Sequence, residues 1–233
     1  MTIYKLQKPL ERQGLEMWEG TTDSNGRYWE IAMTRIEGEC ITKYLNSETE
    51  MLEWGSGGST IKLAQYVKHI DSIEHNIEWY NNIKDKLPAN ANLHHVPSNN
   101  INLRDKELDT SAFNVWKPCI ERNNKISIDN NILFRVCRDG RDWHEYINYI
   151  NFPATLNKKY DVILVDGRAR PNCAYKALSL LKPDGVVVVH DFKGTKEEGG
   201  RWYYQGILHY YDMIDFGKSL VVLKPKTQFI NEN

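Results

Sequence analysis

Short apolar runs alternate along the chain with stretches in which apolar residues recur every three or four positions. The runs have the length of strands, and the stretches between them have the spacing of one buried helix face. The predicted strands are Met51–Trp54, Ile70–Glu74, Leu93–Val96, Ile132–Cys137, Tyr160–Asp166 and Gly185–Asp191. The predicted helices are Ile31–Leu45, Thr60–Lys68 with Ser59 as its cap, Ile77–Lys86, Trp143–Ile150 and Cys173–Leu181.

This alternation predicts a parallel sheet with helices on both faces, which is a doubly wound α/β domain. Val162–Val165 and Val186–Val189 contain no polar residue, so we place them at the centre of the sheet, buried on both sides. Lys182–Gly185 predicts a turn before the second of these runs. Beyond it, Ile207–Ile214 and Leu220–Leu223 predict a closing antiparallel hairpin.

The 233 residues are interpreted as one domain, 1–233, with two additions. Residues 1–35 form an N-terminal extension or lid that precedes the regular alternation of strand and helix. Residues 99–131 are polar, rich in Asn and without periodicity, so we interpret them as an insertion on a continuing fold.

Composition and charge restrict the cellular compartment and the partners that we expect for this protein. The net charge of −1 forces no basic surface, which weighs against a protein that binds extended nucleic acid. No apolar run approaches the roughly 20 residues that span a bilayer, and no apolar N-terminal stretch resembles a signal peptide. The four cysteines never form a CxxC pair, so we expect reduced thiols in a cytoplasmic protein.

The first candidate ligand site is a glycine-rich turn after the first strand of the alternation, with the sequence Glu53-Trp54-Gly55-Ser56-Gly57-Gly58-Ser59. Glu74 follows Gly55 by 19 residues, at the end of the next strand, where a carboxylate accepts both hydroxyls of a ribose. A dinucleotide-binding turn has a third glycine at the position of Thr60, which argues against NAD. Glu53, two residues before the turn, instead suits a ligand with a cationic ammonium or sulfonium end.

On these residues the chain resembles class I S-adenosylmethionine-dependent methyltransferases. The resemblance rests on Glu53–Thr60, Ser72–Asn76, Tyr160–Asp166 and Leu181–Asp191, and it extends from about Ile36 to Pro225. It implies a Rossmann-like, seven-stranded, mostly parallel sheet with an antiparallel last strand, and S-adenosylmethionine as the cofactor. The cofactor-binding residues that it implies are Glu53, Gly55, Ser56, Gly57, Gly58, Ser59, Glu74, Asp139 and Asp166. Asp139 is favoured for the adenine, with Ser98 as the alternative.

Candidate catalytic residues end the two most apolar strands. Asp166 ends one, and His190 with Asp191 ends its neighbour, so these side chains are expected to face one crevice. Two interpretations stay open: either His190 or Asp166 is a general base, or Asp166 and Asp191 share Mg²⁺ or Mn²⁺ that acidifies a bound hydroxyl. The second resembles metal-assisted O-methyltransferases, although His-Asp replaces their usual Asp-Asn pair.

The acceptor is expected to be a small hydroxyl-bearing molecule. Arg168 and Arg170 follow Asp166 and are candidates to hold an anionic or polyhydroxylated acceptor. The chain lacks the signature of amino-group methylation after the strand that ends at Asp166, and it resembles methyltransferases of polysaccharide and glycan synthesis. We therefore expect O-methylation of a sugar or glycan, including a deoxysugar such as rhamnose. The alternatives are a phenol- or catechol-like acceptor and, on the same fold, an NAD-dependent reductase.

Overall fold

A computed structural model describes residues 16–23, 25–99, 145–192 and 202–230. Most of the predicted insertion 99–131, the predicted strand Ile132–Cys137 and the adenine candidate Asp139 lie outside the described residues. The predicted N-terminal extension is described from Glu16 onward, apart from residue 24.

Nine strands and six α-helices are described in these ranges. The strands are β1 (Thr21–Thr22), β2 (Tyr28–Trp29), β3 (Glu50–Trp54), β4 (His69–Glu74), β5 (Ala91–His95), β6 (Tyr160–Val165), β7 (Leu181–Val189), β8 (Tyr211–Gly217) and β9 (Leu220–Pro225). The α-helices are α1 (Arg35–Thr42), α2 (Gly58–Leu63), α3 (Ile77–Ile83), α4 (Ile147–Asn151), α5 (Arg170–Ala177) and α6 (Thr227–Ile230). Three 3₁₀ segments are Lys84–Lys86, Phe152–Leu156 and Trp202–His209.

Seven of the strands form one sheet in the order β5-β4-β3-β6-β7-β9-β8. The five from β5 to β7 are parallel, and β9 enters between β7 and β8, antiparallel to both. This arrangement confirms the predicted doubly wound sheet with its antiparallel last strand. β1 and β2 form a separate two-stranded antiparallel ribbon.

The sheet is covered on both faces, as the unbroken aliphatic strands predict. Ile163 and Val165 belong to the apolar cluster on one face, and Val162 and Leu164 belong to the cluster on the other. Burying a side chain of this size stabilises the fold by about 1.5–3 kcal/mol. No helix among the described residues is long and apolar enough to cross a membrane.

The predicted helix Thr60–Lys68 is shorter in the structure, and its cap is different. α2 ends at Leu63, because the next turn is closed by i→i+3 bonds such as that from the Tyr66 amide to the Leu63 carbonyl. The N-cap is Gly57, so the prediction that Ser59 caps the helix is wrong. The Ser59 hydroxyl bonds to the Glu53 carboxylate instead, at 2.8 Å.

The end of the chain also differs in its boundaries. Trp202–His209 is a 3₁₀ segment and β8 starts only at Tyr211, so the predicted strand Ile207–Ile214 begins four residues too early. Periodicity cannot separate a buried helical segment from a buried strand in such a short apolar run. Residues 182–185 interrupt the pairing of β6 with β7 between Leu181 and Val186, so the predicted turn exists as an irregularity within β7.

Candidate active site at the carboxyl edge of the sheet

Parallel strands bring the predicted site residues to one edge of the sheet. β3, β4, β6 and β7 are mutually parallel neighbours, so the glycine-rich turn, Glu74, Asp166 and His190–Asp191 all leave the sheet at its carboxyl edge. Ligands of open α/β sheets bind at this edge. The predicted site residues that the structure describes therefore lie together at this edge.

The glycine-rich turn has a conformation that requires glycine at its first position. Gly55 has φ of +98°, where an L side chain is strained, and a Cβ there would lie 2.6 Å from the Gly167 Cα. The Gly55 amide donates to the Ile73 carbonyl at 2.9 Å. The close approach of Gly55 to Gly167 brings the loop after β3 into direct backbone contact with the loop after β6.

Glu53 lies beneath this turn and not on its surface. Its side chain is fully buried, and its carboxylate accepts hydrogen bonds from the hydroxyls of Ser59, Thr60 and Ser72, at 2.5–2.8 Å. Burial raises the pKa of Glu53 to about 7, although the three hydroxyls oppose this shift. In this geometry Glu53 shapes the turn from below, while the sequence interpretation had its carboxylate facing the cationic end of a ligand.

Glu74 ties the turn to the end of β4. Its carboxylate accepts from the Ser56 amide and hydroxyl, at 3.2 and 3.1 Å, and from the Asn76 amide at 2.7 Å. Burial opposes ionisation, but His75, 3.0 Å from the carboxylate, together with these donors holds the pKa of Glu74 below its usual value. An ionised carboxylate at this position suits the predicted hydrogen bonds to ribose hydroxyls.

The N-terminal segment packs against the same turn. A Cβ on Gly58 would lie 2.5 Å from the Glu30 carbonyl oxygen, so glycine at this position permits the close approach. Trp79 covers the turn from α3, donating from its indole nitrogen to the Ser56 carbonyl at 2.5 Å, and it meets Trp29 edge-on. Trp29 is itself buried. The described part of the predicted extension therefore packs against the glycine-rich turn.

The acidic residues of the edge are joined by an arginine. The Arg170 guanidinium contacts Asp166 at 3.1 Å and Asp191 at 3.2 Å, and His190 Nδ1 lies 2.8 Å from the Asp166 carboxylate. Arg170 also donates to the His190 carbonyl and is only 9% exposed. Asp166 is thus held between Arg170 and His190, and Arg170 links it to Asp191.

His190 is held as a cation between two carboxylates. Asp166 lies on one side of the ring and Glu37 on the other, with the His190 Nε2 3.7 Å from the Glu37 carboxylate. Burial alone would lower the pKa of His190, but the two carboxylates outweigh it and raise the pKa to about 10. A pKa raised in this way favours the protonated imidazole at neutral pH, and a protonated imidazole donates a proton and does not accept one.

The same geometry does not fit the predicted Mg²⁺ or Mn²⁺ between Asp166 and Asp191. The Arg170 guanidinium already lies between the two carboxylates, where the cation would have to bind. Within the described ranges, no group of three or more His, Cys, Asp or Glu side chains is arranged to hold a metal ion. The described residues therefore do not fit a divalent cation between Asp166 and Asp191.

Two residues at this edge have backbone conformations that are rare outside glycine. Ala169, in the loop between Asp166 and Arg170, has φ of +49°, and Asp191, one of the two arginine-linked carboxylates, has φ of +57°. Such strain costs of order 1–3 kcal/mol per residue and clusters at functional sites. Asn157 and Lys218, in turns away from this edge, have the same conformation, so the strain by itself does not distinguish the cluster.

Sequence reasoning did not assign Glu37, and it did not separate the roles of Arg168 and Arg170. Arg168 is exposed at the edge, whereas Arg170 is buried within the cluster. Glu37 belongs to a capping box with Thr34, a Thr-x-x-Glu signal that is readable in the sequence. That signal marks the start of α1 but not the contact with His190, which is 153 residues away.

The adenine candidates are only partly described. Ser98 is half-buried in the loop after β5, at the carboxyl edge, whereas Asp139 is outside the described residues. The two ends of the undescribed segment meet there, because the Asn99 amide donates to the Glu145 carbonyl at 2.7 Å.

No protein-family model matches the chain, and no curated protein matches it. Among solved structures, it is similar to a methyltransferase-like protein from Silicibacter pomeroyi, at 20% identity and a TM-score of 0.54, over 85% of this chain and 89% of that chain. A weaker likeness is to a putative O-methyltransferase from Klebsiella pneumoniae, at 10% identity and a TM-score of 0.43, over 80% of this chain and 76% of that chain. Another is to a 16S rRNA methyltransferase from T. thermophilus in complex with AdoMet and guanosine, at 12% identity and a TM-score of 0.45, over 81% of this chain and 41% of that chain. With the sheet order and its antiparallel last strand, the first likeness shows that this chain has the methyltransferase fold.

Proposed function

We propose that this protein is an S-adenosylmethionine-dependent O-methyltransferase. The observation that carries the proposal is the carboxyl edge itself, where the Gly55 turn and an ionised Glu74 stand beside a fixed cluster of carboxylates. The turn and Glu74 suit the methionine part and the ribose of the cofactor. Asp166 and Asp191 suit the removal of a proton from an acceptor hydroxyl.

The reaction requires alignment and one proton acceptor. The acceptor oxygen attacks the methyl carbon in line, the S–CH₃ bond breaks, an O–CH₃ bond forms and S-adenosylhomocysteine leaves. The hydroxyl proton passes to a carboxylate of the Asp166–Asp191 pair, since His190 is already protonated. Arg170 keeps both carboxylates oriented through its two contacts.

The proposed acceptor is a sugar or glycan hydroxyl, including that of a deoxysugar such as rhamnose. Arg168 is exposed at the rim, next to partly exposed Asp166 and Asp191, which offers both donors and acceptors to a polyhydroxylated ring. The net charge of −1 also suits a neutral acceptor better than a polyanion.

A labelled-methyl transfer screen tests the proposal. The full chain is incubated with S-adenosylmethionine carrying a labelled methyl group and with sugars, glycans, phenols or RNA. Label in a sugar hydroxyl is expected, and excess EDTA should leave its rate unchanged because Arg170 fills the predicted metal position. Label in phenols alone would refute the sugar acceptor, and label in none of the four classes would refute O-methylation of these acceptors.

Variants connect the activity to the edge. Asp166→Asn and Asp191→Asn keep the size of the side chain but remove the proton acceptor. General-base catalysis contributes about 10²–10⁴-fold, so turnover should fall 100-fold or more in at least one of the two variants. That variant should still bind S-adenosylhomocysteine. Asp184→Asn, at a 99% exposed side chain far from the edge, is the matched control and should keep full turnover. Full turnover in both edge variants would contradict the proposed chemistry.

A further inference from the structure

Glu37 is a buried carboxylate behind the candidate active site that the proposed chemistry does not use. It lies in the first turn of α1 and is only 1% exposed. Its Oε2 accepts from the amide and the hydroxyl of Thr34, at 2.7 and 2.8 Å. Its Oε1 accepts from the Ser219 amide at 3.0 Å and from the Ser219 hydroxyl. Donors on both oxygens thus hold the carboxylate in one orientation.

This carboxylate faces the imidazole of His190. The His190 Nε2 lies 3.7 Å from Glu37 Oε2, which is within the range of an ion pair. The other ring nitrogen, Nδ1, lies 2.8 Å from the Asp166 carboxylate. Because the two nitrogens lie on different sides of one rigid ring, a carboxylate at each nitrogen fixes the orientation of the ring.

Asp166 is held through only one of its two oxygens. His190 Nδ1 contacts Oδ1 at 2.8 Å, and the Arg170 guanidinium contacts the same Oδ1 at 3.1 Å. In the part of the chain that the structure describes, no hydrogen bond reaches Asp166 Oδ2, and 20% of the side chain is exposed. Since a carboxylate oxygen accepts hydrogen bonds, Oδ2 is the oxygen left for an acceptor hydroxyl.

The charges around His190 support this arrangement. The imidazole is faced by Asp166 from the end of β6, by Glu37 from α1 and by the neighbouring Asp191, and the Arg170 guanidinium contacts both aspartates. Burial opposes the charge of His190, but the carboxylates favour it more strongly. A protonated imidazole carries a hydrogen on each nitrogen, so it presents one to Asp166 and one to Glu37 at the same time.

We propose that Glu37 is a positioning residue for Asp166, the carboxylate that takes the proton from the acceptor hydroxyl. By holding Nε2 of His190, Glu37 keeps Nδ1 on Oδ1 of Asp166 and leaves Oδ2 available to the acceptor. As the O–CH₃ bond forms, the hydroxyl loses its proton and Oδ2 gains it. This inference rests on the proposed function, and it selects Asp166 from the Asp166–Asp191 pair.

The test is Glu37→Gln, measured by labelled-methyl transfer to the acceptor that takes label in the screen, with rhamnose as the first probe. The amide is close to the carboxylate in size but carries no charge to hold His190. We expect kcat to fall about 10- to 100-fold, since misplacing a reacting group by about 1 Å costs up to 10²-fold. The KM and the affinity for S-adenosylhomocysteine should stay unchanged, because the lost interaction acts in the transition state.

Glu39→Gln is the matched control for this variant. Glu39 lies on the exposed side of the same helix and pairs with Arg35, so its replacement should keep the wild-type kcat. A loss of S-adenosylhomocysteine affinity together with kcat in Glu37→Gln would show a general disruption of the edge and would overturn the positioning role.

A double-mutant cycle shows whether Glu37 acts through His190. His190→Asn keeps a donor near the position of Nδ1 but has no atom that reaches Glu37. In this background Glu37→Gln should leave kcat unchanged, because the connection to Asp166 is already broken. An equal fall of kcat in both backgrounds would show that Glu37 acts by another route, and it would overturn the inference.

A measurement on the wild-type protein keeps the inference testable if Glu37→Gln does not fold. The nitrogen-15 chemical shifts of His190 should show a hydrogen on both ring nitrogens at neutral pH. A bare Nε2 would show that Glu37 does not hold the ring, and a bare Nδ1 would show that His190 does not donate to Asp166. Either result would overturn the inference.

The outcomes separate this inference from the proposed function. If wild type transfers the label and Glu37→Gln transfers it at the same rate, Glu37 is not a positioning residue and the proposed function stands. If wild type transfers no label to any of the four acceptor classes, the proposed function fails and the inference fails with it.

Discussion

At the scale of single residues, the chemistry at the carboxyl edge of the sheet depends on which carboxylate each buried cation contacts. Arg170 and His190 are both buried cations that contact Asp166, and Glu37 supplies a further carboxylate behind His190. The sequence places Asp166, His190 and Asp191 correctly at one edge. It cannot give their partners, because the Glu37–His190 contact joins residues far apart in the chain and depends on the packing of α1.

The protonation of His190 is the first prediction at this scale. Its imidazole should stay protonated through neutral pH and titrate near pH 10, because the carboxylates of Asp166 and Glu37 stabilise the cation. A folded pKa above the unfolded value of about 6.5 means that the stabilisation is complete below pH 6.5 and is lost as pH rises through about 10. Nuclear magnetic resonance of labelled histidine measures this titration directly.

Glu37→Gln is the informative variant for that measurement. It keeps the shape of the side chain but removes one carboxylate, so the His190 pKa should fall below the wild-type value, with stability lost at a lower pH. Glu39→Gln, on the exposed side of the same helix, should leave the titration unchanged. A His190 in the wild-type protein that titrates near pH 6.5 would show that the two carboxylates do not hold the imidazole as a cation.

The second residue-scale prediction concerns Gly55. Gly55→Ala should destabilise the fold by about 1–3 kcal/mol, because φ is +98° and the new Cβ meets the Gly167 Cα at 2.6 Å. Gly57→Ala is the matched control, since its φ of 178° is extended and its nearest contact would be 3.8 Å. Urea unfolding measures the free energy of unfolding of both variants. Equal values would show that the turn does not need glycine at position 55.

At the scale of elements, the sequence predicts the strands better than their ends. β6 and β7 follow from aliphatic runs, which are typical of strands buried on both faces of a sheet. The ends of α2 and β8 depend on local hydrogen bonds and on how the next segment packs. For this reason the predicted cap at Ser59 is wrong, and Trp202–His209 is a 3₁₀ segment instead of the start of a strand.

One buried carboxylate of β4, away from the candidate site, contacts residues of two other strands. Asp71 is 1% exposed and receives Lys158 at 2.9 Å and the Tyr160 hydroxyl at 3.2 Å on one oxygen. His69 and His94 both lie 3.3 Å from the other oxygen. Asp71 thus connects β4 to His94 of β5, to Tyr160 at the start of β6 and to Lys158, two residues before β6.

Replacing Asp71 tests this element-scale interaction. Asp71→Asn should destabilise the fold by about 1.5–3 kcal/mol at pH 7, because the buried carboxylate loses its charge-assisted hydrogen bonds, while Lys158, which is 41% exposed, remains solvated. Burial opposes ionisation, but the histidines and Lys158 hold the pKa of Asp71 below its usual value. The stabilisation is therefore present above the unfolded pKa of about 3.9 and is lost as pH falls below it.

Urea unfolding at pH 7, 5 and 3 measures the effect. The gap between wild type and Asp71→Asn should be full at pH 7 and should narrow at pH 3. Asp184→Asn, at an exposed carboxylate, should match wild type at pH 7. A gap that is absent at pH 7 would show that the cluster around Asp71 does not stabilise the sheet.

At the scale of the whole molecule, the described N-terminal segment is part of the fold. Trp18, Ile31 and Met33 are buried in the same apolar cluster as the central strands. The sequence predicts an extension or lid here but not its place, because the close approach of Glu30 to Gly58 joins two segments that no local pattern connects.

Replacing Gly58 tests the packing of this segment. Gly58→Ala places a Cβ 2.5 Å from the Glu30 carbonyl, so the segment should detach and trypsin should cleave after Arg27 and Arg35 faster than in wild type. Gly57→Ala, one residue earlier, should be cleaved at the wild-type rate. Unchanged cleavage in Gly58→Ala would contradict this packing.

The most direct test of the account is the choice of cofactor by the full chain. Calorimetry should show S-adenosylhomocysteine binding to one site, weakened in Gly55→Ala, with no binding of NADH. Binding of NADH without S-adenosylhomocysteine would assign the edge to a reductase and contradict the account.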